Sequence, residues 1–154
     1  MTFWLMKSEP DAFGIDDLKK KSKGTDCWDG IRNYQARNFM RDEMKKGDEA
    51  FFYHSSCKEP GIYGTMKIVK ESYPDLTAFD TNEKYFDVKS SPENPRWFMV
   101  DVKFTEKFEN PIFLAELRLH KQLASMKILQ RGNRLSITPI TSPEWNYIIK
   151  LAAN

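Results

Sequence analysis

The sequence predicts an α+β domain, a curved and mostly antiparallel sheet or small barrel flanked by helices. Three observations carry this expectation. Phe98, Val100, Val102 and Phe104 recur at every second position between Trp97 and Phe108, the pattern of a half-buried strand. Residues 49–53 and 62–69 read as strands joined across Pro60-Gly61, a turn signal with no room for a crossover helix. The chain closes with a helix that opens at Ser142-Pro143-Glu144, with Trp145, Ile148, Ile149 and Ala152 on its apolar face. Strands linked by turns and mixed with helices argue against a regular parallel α/β fold.

Taken in order, Phe3 to Lys7 is a short apolar run stopped by Pro10, a buried strand that delivers Lys7, Ser8 and Glu9 to its end. Gly14 opens a helix over 15–20, followed by the solvated basic run Lys19, Lys20, Lys21 and Lys23. Asn33 caps a second helix, because its side chain can accept from the amide of Gln35 or Ala36. Ala36, Phe39, Met40 and Met44 form that helix's apolar face, and Gly47 marks its stop. Gly64 lies inside the 62–69 strand, where it signals a close approach of another group. Residues 73–94 form a polar excursion anchored by Tyr85-Phe86. The strand beginning at Trp97 ends at Pro111. Residues 114–120 are helical, 126–129 form a turn, and 135–137 form a last strand.

The 154 residues are enough for one domain with a real core. No internal repeat or linker divides the chain, so residues 1–154 are expected to form one domain. A net charge of +2 excludes a polycation, so any anion site must arise from local clustering. Two cysteines make no disulfide framework, no N-terminal stretch reads as a signal peptide, and no apolar run reaches membrane-spanning length. A cytoplasmic, monomeric protein without a membrane partner is expected.

One stretch, Asp26 to Asn38, departs from these structural patterns. It crowds Trp28, Arg32, Asn33, Tyr34 and Arg37 around Gly30 with almost no bulky aliphatic residue. Rings, amides and guanidinium groups at a turn suit a planar, anionic partner. Docking of one Trp into the core is the bland alternative. Among the rings, Trp28 is the one flanked by polar residues, whereas Trp4 and Trp145 are assigned to the core. Lys7, Lys19 to Lys23, Arg32, Arg37, Arg41, Lys127, Arg131 and Arg134 can build a basic face interleaved with Trp28, Tyr34, Tyr53 and Trp97.

Other chemistries are weaker. Cys27, His54, Cys57 and His120 lack the spacing of a metal motif, so no metal is expected. There is no phosphate loop or dinucleotide fingerprint, so no cofactor is expected. Neighbours on a strand end point to opposite faces, which works against a Cys57–His54 or Ser55–His54 pair. An enzyme using Asp29 or Glu9 with His54 remains the catalytic alternative.

Trp4-Leu-Met-Lys-Ser-Glu-Pro10, Trp28-Asp-Gly-Ile-Arg-Asn-Tyr-Gln-Ala-Arg-Asn38, Gly47-Asp48 with Phe52-Tyr-His-Ser55, Gly61-Ile62-Tyr63-Gly64 and Arg134-Leu-Ser-Ile-Thr-Pro139 closely resemble the EVE domain family. The motifs fall in that family's order and span nearly the whole chain. Ile31 replaces an expected Val, a conservative departure. The resemblance implies a PUA-like fold, related to the YTH and ASCH domains, and the compact bacterial type of chain. It also implies a pocket for a base, with modified bases in DNA or RNA as ligands. Lys7 and Ser8 are implied at the pocket edge, Trp28, Arg32, Asn33 and Tyr34 along one wall, Ser55 opposite, and Trp97 as a further ring.

The expectation is therefore a non-catalytic module that binds nucleic acid and reads a methylated or hydroxymethylated cytosine-type base. Trp28, Asn33, Tyr34, Ser8, Ser55 and Trp97 are the base-binding candidates. Lys7, Arg32, Arg37 and Arg134 are the phosphate-binding candidates, helped by the amides of the Asn33-capped helix. An RNA-binding module in RNA metabolism is the alternative within binding.

Overall fold

The computed structural model describes residues 1–154. Strand β1 (Phe3–Ser8) is followed by α1 (Pro10–Phe13) and α2 (Ile15–Lys20), and then by β2 (Thr25–Trp28). Helix α3 (Tyr34–Asn38) runs into a π-helical turn at Phe39–Glu43. Next come β3 (Glu49–His54), β4 (Gly61–Pro74) and β5 (Phe98–Phe113). The chain finishes with α4 (Leu114–Leu117), β6 (Ile137–Ile140) and α5 (Ser142–Ala153).

The six strands form one open sheet in the order β2-β5-β4-β3-β1-β6. Every neighbouring pair is antiparallel except β1 and β3, which run parallel from Phe3↔Glu49 to Ser8↔His54. The mixed sheet with flanking helices agrees with the expected fold class. Four register shifts between β4 and β5 bend these two long strands. At Gly64, next to one of these shifts, an added Cβ would run into the Glu106 carbonyl and Ile15, which is the close approach that the sequence signals.

Both faces of the sheet are buried, and this explains the unbroken apolar runs of β1 and β3. Trp4, Met6, Ala50 and Phe52 point to one face, where Ile15, Leu18, Ala36 and Met40 cover them. Leu5, Phe51 and Tyr53 point to the other, under Leu117, Trp145 and Ile148. Helix α5 starts at a reciprocal capping box: Thr141 Oγ1 accepts from the Glu144 amide (3.2 Å) and Glu144 Oε1 accepts from the Thr141 amide (3.0 Å).

Some boundaries differ from the sequence reading. β2 lies where no strand is expected and pairs with β5. Pro111 does not end β5, which runs on to Phe113. That stretch of β5 lies beyond the residues paired with β2, so the missing proline N–H leaves no ladder bond unmade. The helix capped by Asn33 stops at Asn38 rather than at Gly47. Its apolar residues still pack as the periodicity requires, but the Met44 amide donates to Phe39 O (2.9 Å) across a widened turn.

Candidate functional site

β1 and β3 are parallel, so both release the chain at the same edge of the sheet. The ladder extends just past them. The Ser55 amide donates to Ser8 O (2.9 Å), and the Lys7 amide donates to Ser136 O (2.8 Å) on the approach to β6. These bonds fix Lys7, Ser8, Ser55 and Ser136 on the wall of a cavity of about 680 Å³. The Ser8 hydroxyl donates to Phe13 O (2.6 Å), so its oxygen is left to accept from a ligand N–H.

Trp28, at the end of β2, gives the cavity an apolar side. It is only 5% exposed, packed edge-on against Phe52 (5.3 Å between centroids) and Phe13 (6.3 Å). The indole is thus both a core residue and a lining residue, which unites the two readings of the sequence. Beyond it the wall continues through Asp29, Gly30, Ile31 and Arg32 and is completed by Tyr85.

A buried carboxylate organises that wall. Asp75 Oδ2 accepts from the Gly30 amide (2.8 Å) and from Arg32 Nη1 (3.1 Å). Its Oδ1 accepts from the amide (2.9 Å) and hydroxyl (2.6 Å) of Thr77. Arg32 also donates to Ile31 O (2.9 Å), to Thr77 Oγ1 (3.3 Å) and twice to Tyr85 O (2.6 and 3.0 Å). These bonds occupy all its N–H donors, leaving none for a phosphate. Arg32, expected to hold phosphate, is a clamp between the 29–32 segment and the loop carrying Tyr85.

Free positive charge on the wall comes instead from Lys7 and Arg134, neither of which belongs to an ion pair. Burial pulls the Lys7 pKa below its ordinary value. Glu9, Asp26 and Asp29 share the lining. Burial, with the Asp75 carboxylate next, pushes the Asp29 carboxyl up. Burial, with Asp29 and Asp26 adding, pushes the Cys27 thiol up to about 12, so it is no nucleophile at neutral pH. Cations and carboxylates around an apolar side suit one polar, planar ring with a charged group at the rim. They do not suit a polyphosphate, which the three carboxylates would repel.

Of the sequence-derived candidates, Lys7, Ser8, Trp28, Arg32, Ser55 and Arg134 meet at this cavity, whereas Asn33, Tyr34, Arg37 and Trp97 do not line it. Asn33 Oδ1 accepts from the Ala36 amide (2.9 Å), as its role of cap requires. Helix α3 has only five residues and its Ala36 amide is taken, so its terminus is no open anion site. Tyr34 stacks on Trp97 (4.9 Å, 24° between planes) outside the cavity. Trp97 Nε1 donates to Asp87 (2.6 Å), and Arg37 donates to Arg96 O (3.0 Å) and to Asn38.

The structure does not bring together the residues of the catalytic alternative. Glu9 and Asp29 line the cavity, but His54 lies behind it, with Nε2 accepting from the Ile15 amide (3.1 Å) and Tyr63 stacked on the ring (4.0 Å). His120 is hydrogen-bonded to the Tyr147 hydroxyl (2.7 Å), and no group of three or more His, Cys, Asp or Glu residues is placed to hold a metal ion. Sequence reasoning missed Asp75, Phe13, Ser136 and the cavity position of Tyr85. Tyr85 left a trace as half of the aromatic pair in a polar loop, and Ser136 as a member of the Arg134–Pro139 motif.

Comparison with known proteins agrees with this architecture. A family model described as EVE domain matches residues 2–151. Human thymocyte nuclear protein 1 is 50% identical over 165 residues, covering 96% of this chain and 72% of that protein. A crystal structure of the human THYN1 protein in complex with 5-methylcytosine containing DNA superposes with a TM-score of 0.94 at 49% identity, covering 100% of this chain and 99% of that one. A Pseudomonas syringae protein superposes with a TM-score of 0.93, also at 49% identity, covering 97% of this chain and 99% of that one.

Proposed function

We propose, because this chain belongs to the EVE domain family, that it is a non-catalytic reader that binds DNA and takes a modified base of the methylcytosine class into its cavity. One observation carries the reading. The human relative solved with 5-methylcytosine containing DNA shares this fold over the whole chain, and this chain has a charge-mixed cavity roomy enough for a nucleotide at the ends of β1, β2 and β3.

The chemistry supports it. A nucleotide turned out of its stack lies with the apolar side of its base against Trp28. The Ser8 oxygen accepts from an exocyclic amino group while keeping its own proton on Phe13 O. Ser55 faces the same space. Lys7 and Arg134 take the phosphate that follows the base out of the strand. The raised Cys27 thiol and the sequestered His54 supply no nucleophile–base pair, which supports a binding rather than a catalytic role.

Titration of labelled oligonucleotides that differ at one position, 5-methylcytosine, cytosine or thymine, as DNA and as RNA, tests the proposal. Tightest binding to the 5-methylcytosine DNA is the expected result. Equal affinity for all three bases overturns the base-reading function, and preference for the RNA transfers it to RNA. Trp28→Ala should remove the preference while leaving weak, salt-dependent binding. Trp28→Phe, which keeps a ring in the core, guards against simple unfolding.

A further inference from the structure

The residues expected at the pocket but found outside it form a cluster of their own. Tyr34 stacks on Trp97, yet 51% of Tyr34 is exposed. The Arg37 guanidinium lies 4.8 Å from the Tyr34 centroid and 5.9 Å from that of Trp97. Arg96 Nη1 donates to the Tyr34 hydroxyl (3.0 Å). The cluster is continuous with the cavity through Arg32, whose guanidinium lies 5.4 Å from the ring of Tyr85 on the cavity wall and 5.4 Å from Trp97.

Neither Arg37 nor Arg96 is in a salt bridge, although the carboxylates of Asp42 and Asp87 act on them from nearby. The nearby acids are engaged elsewhere: Asp75 with Arg32, Asp42 with Arg41, and Asp87 with the Trp97 N–H. Arg37 and Arg96 have only neutral acceptors: Arg96 O and Asn38 Oδ1 for the first, and the Tyr34 hydroxyl for the second. Burial, followed by the neighbouring charge of Arg41, pulls the Arg37 pKa down, so an anion seated here relieves a cost already present in the fold. Arg37 lies beside the Tyr34 and Trp97 rings and Arg96 on the Tyr34 hydroxyl, and planar guanidinium groups with N–H donors to spare are suited to phosphate oxygens. An exposed Tyr ring in the same cluster suits a neighbouring base.

We infer that Arg37 and Arg96, supported by the Tyr34–Trp97 stack, form a second DNA contact outside the cavity that holds phosphates of the strand whose nucleotide enters it. The inference rests on the base-reading proposal for which nucleotide the strand presents. It adds a separate surface that gives affinity without reading sequence.

Two ligands separate the surfaces. One is a 12-base-pair duplex with a single 5-methylcytosine, titrated over a salt series, and the other is 5-methyl-2′-deoxycytidine 5′-monophosphate. Arg96→Gln removes one cation, whose side chain hydrogen-bonds the Tyr34 hydroxyl. Arg37→Gln/Arg96→Gln removes both cations. Each lost phosphate contact should weaken duplex binding by about eightfold at 0.1 M salt and flatten the slope of log affinity against log salt by about 0.9. Monophosphate affinity and the ratio of methylated to unmethylated duplex should stay at wild-type values. Wild-type duplex affinity and slope in both variants, with unchanged melting temperatures, overturn the second contact. Absence of any methylation preference in the wild type overturns the cavity reading instead, and the change in salt slope still decides the arginine surface. Failure of the wild type to bind duplex overturns both.

Discussion

Arg32 Nη1 donates to Asp75 Oδ2 at 3.1 Å, and the Asp75 carboxylate is fully buried at the far side of the cavity wall. A carboxylate without exposure is tolerated because four donors surround it: the Gly30 and Thr77 amides, the Thr77 hydroxyl and the guanidinium. Asp75→Ala leaves those donors unmet. The expected loss is about 3 kcal/mol, in the range for breaking a buried pair from one side, measurable by urea denaturation. The 29–32 segment and Tyr85 should loosen together, visible as faster amide exchange at Gly30 and Arg32. Loss of stability without faster exchange at these residues would show that Asp75 does not organise the wall.

Gly30 has φ +78°, and a Cβ there would lie 2.5 Å from the Tyr85 ring. Gly30→Ala therefore carries two costs: about 1–2 kcal/mol of backbone strain, and displacement of the ring. In a Tyr85→Ala background the second cost is gone. A double-mutant cycle should return a coupling of about 1 kcal/mol, and base binding should fall in the Gly30→Ala single variant. Equal costs in both backgrounds would mean that the Tyr85 ring is not held against Gly30.

These two pairs mark what the sequence could and could not disclose. Signals with short range were legible: the Asn33 cap, the α2 span, the apolar face of α5 and the tight Gly64. Of the chemically unusual stretch Asp26–Asn38, residues Asp26 to Arg32 line the cavity and the rest do not. The Arg32 clamp was not legible, because its partners Asp75, Thr77 and Tyr85 lie more than forty residues on and only folding brings them together. β2 escaped notice for the same reason, since its ladder to β5 joins residues about half the chain apart, from Thr25↔Lys103 to Trp28↔Val100. Tyr34, Trp97 and Arg37 carry the right chemistry for nucleic acid, but residue type alone cannot say on which side of the wall a ring stands. The fold places them outside.

His54 predicts a pH dependence of stability. Its Nε2 accepts from the buried Ile15 amide, and burial holds its pKa below the ordinary value of 6.5. The unfolded chain therefore takes up a proton at higher pH than the native state does. Above the unfolded pKa the contribution to stability is complete. It should decline as pH falls below about 6.5 and level off once the folded group also protonates. His54→Gln, whose side-chain oxygen can still accept from the Ile15 amide but does not titrate, should flatten the midpoint of urea unfolding between pH 7 and pH 5. An identical slope in the variant assigns the dependence to other groups.

On the proposed reading, Lys7 places binding and stability in opposition. Its ammonium stands at the end of β1 on the cavity wall, outside every ion pair, and burial depresses its pKa. A desolvated cation without a partner costs stability, so a phosphate arriving at the rim gains a site that the fold already holds under strain. Lys7→Met keeps most of the aliphatic stem and removes the charge. The variant should melt at the same temperature as wild type or higher, because nothing in the native state compensates the ammonium. DNA affinity should fall about eightfold at 0.1 M salt, with the salt slope flattened by about 0.9. Lower stability with unchanged DNA affinity would place Lys7 among the structural residues and leave Arg134 as the cavity's phosphate contact.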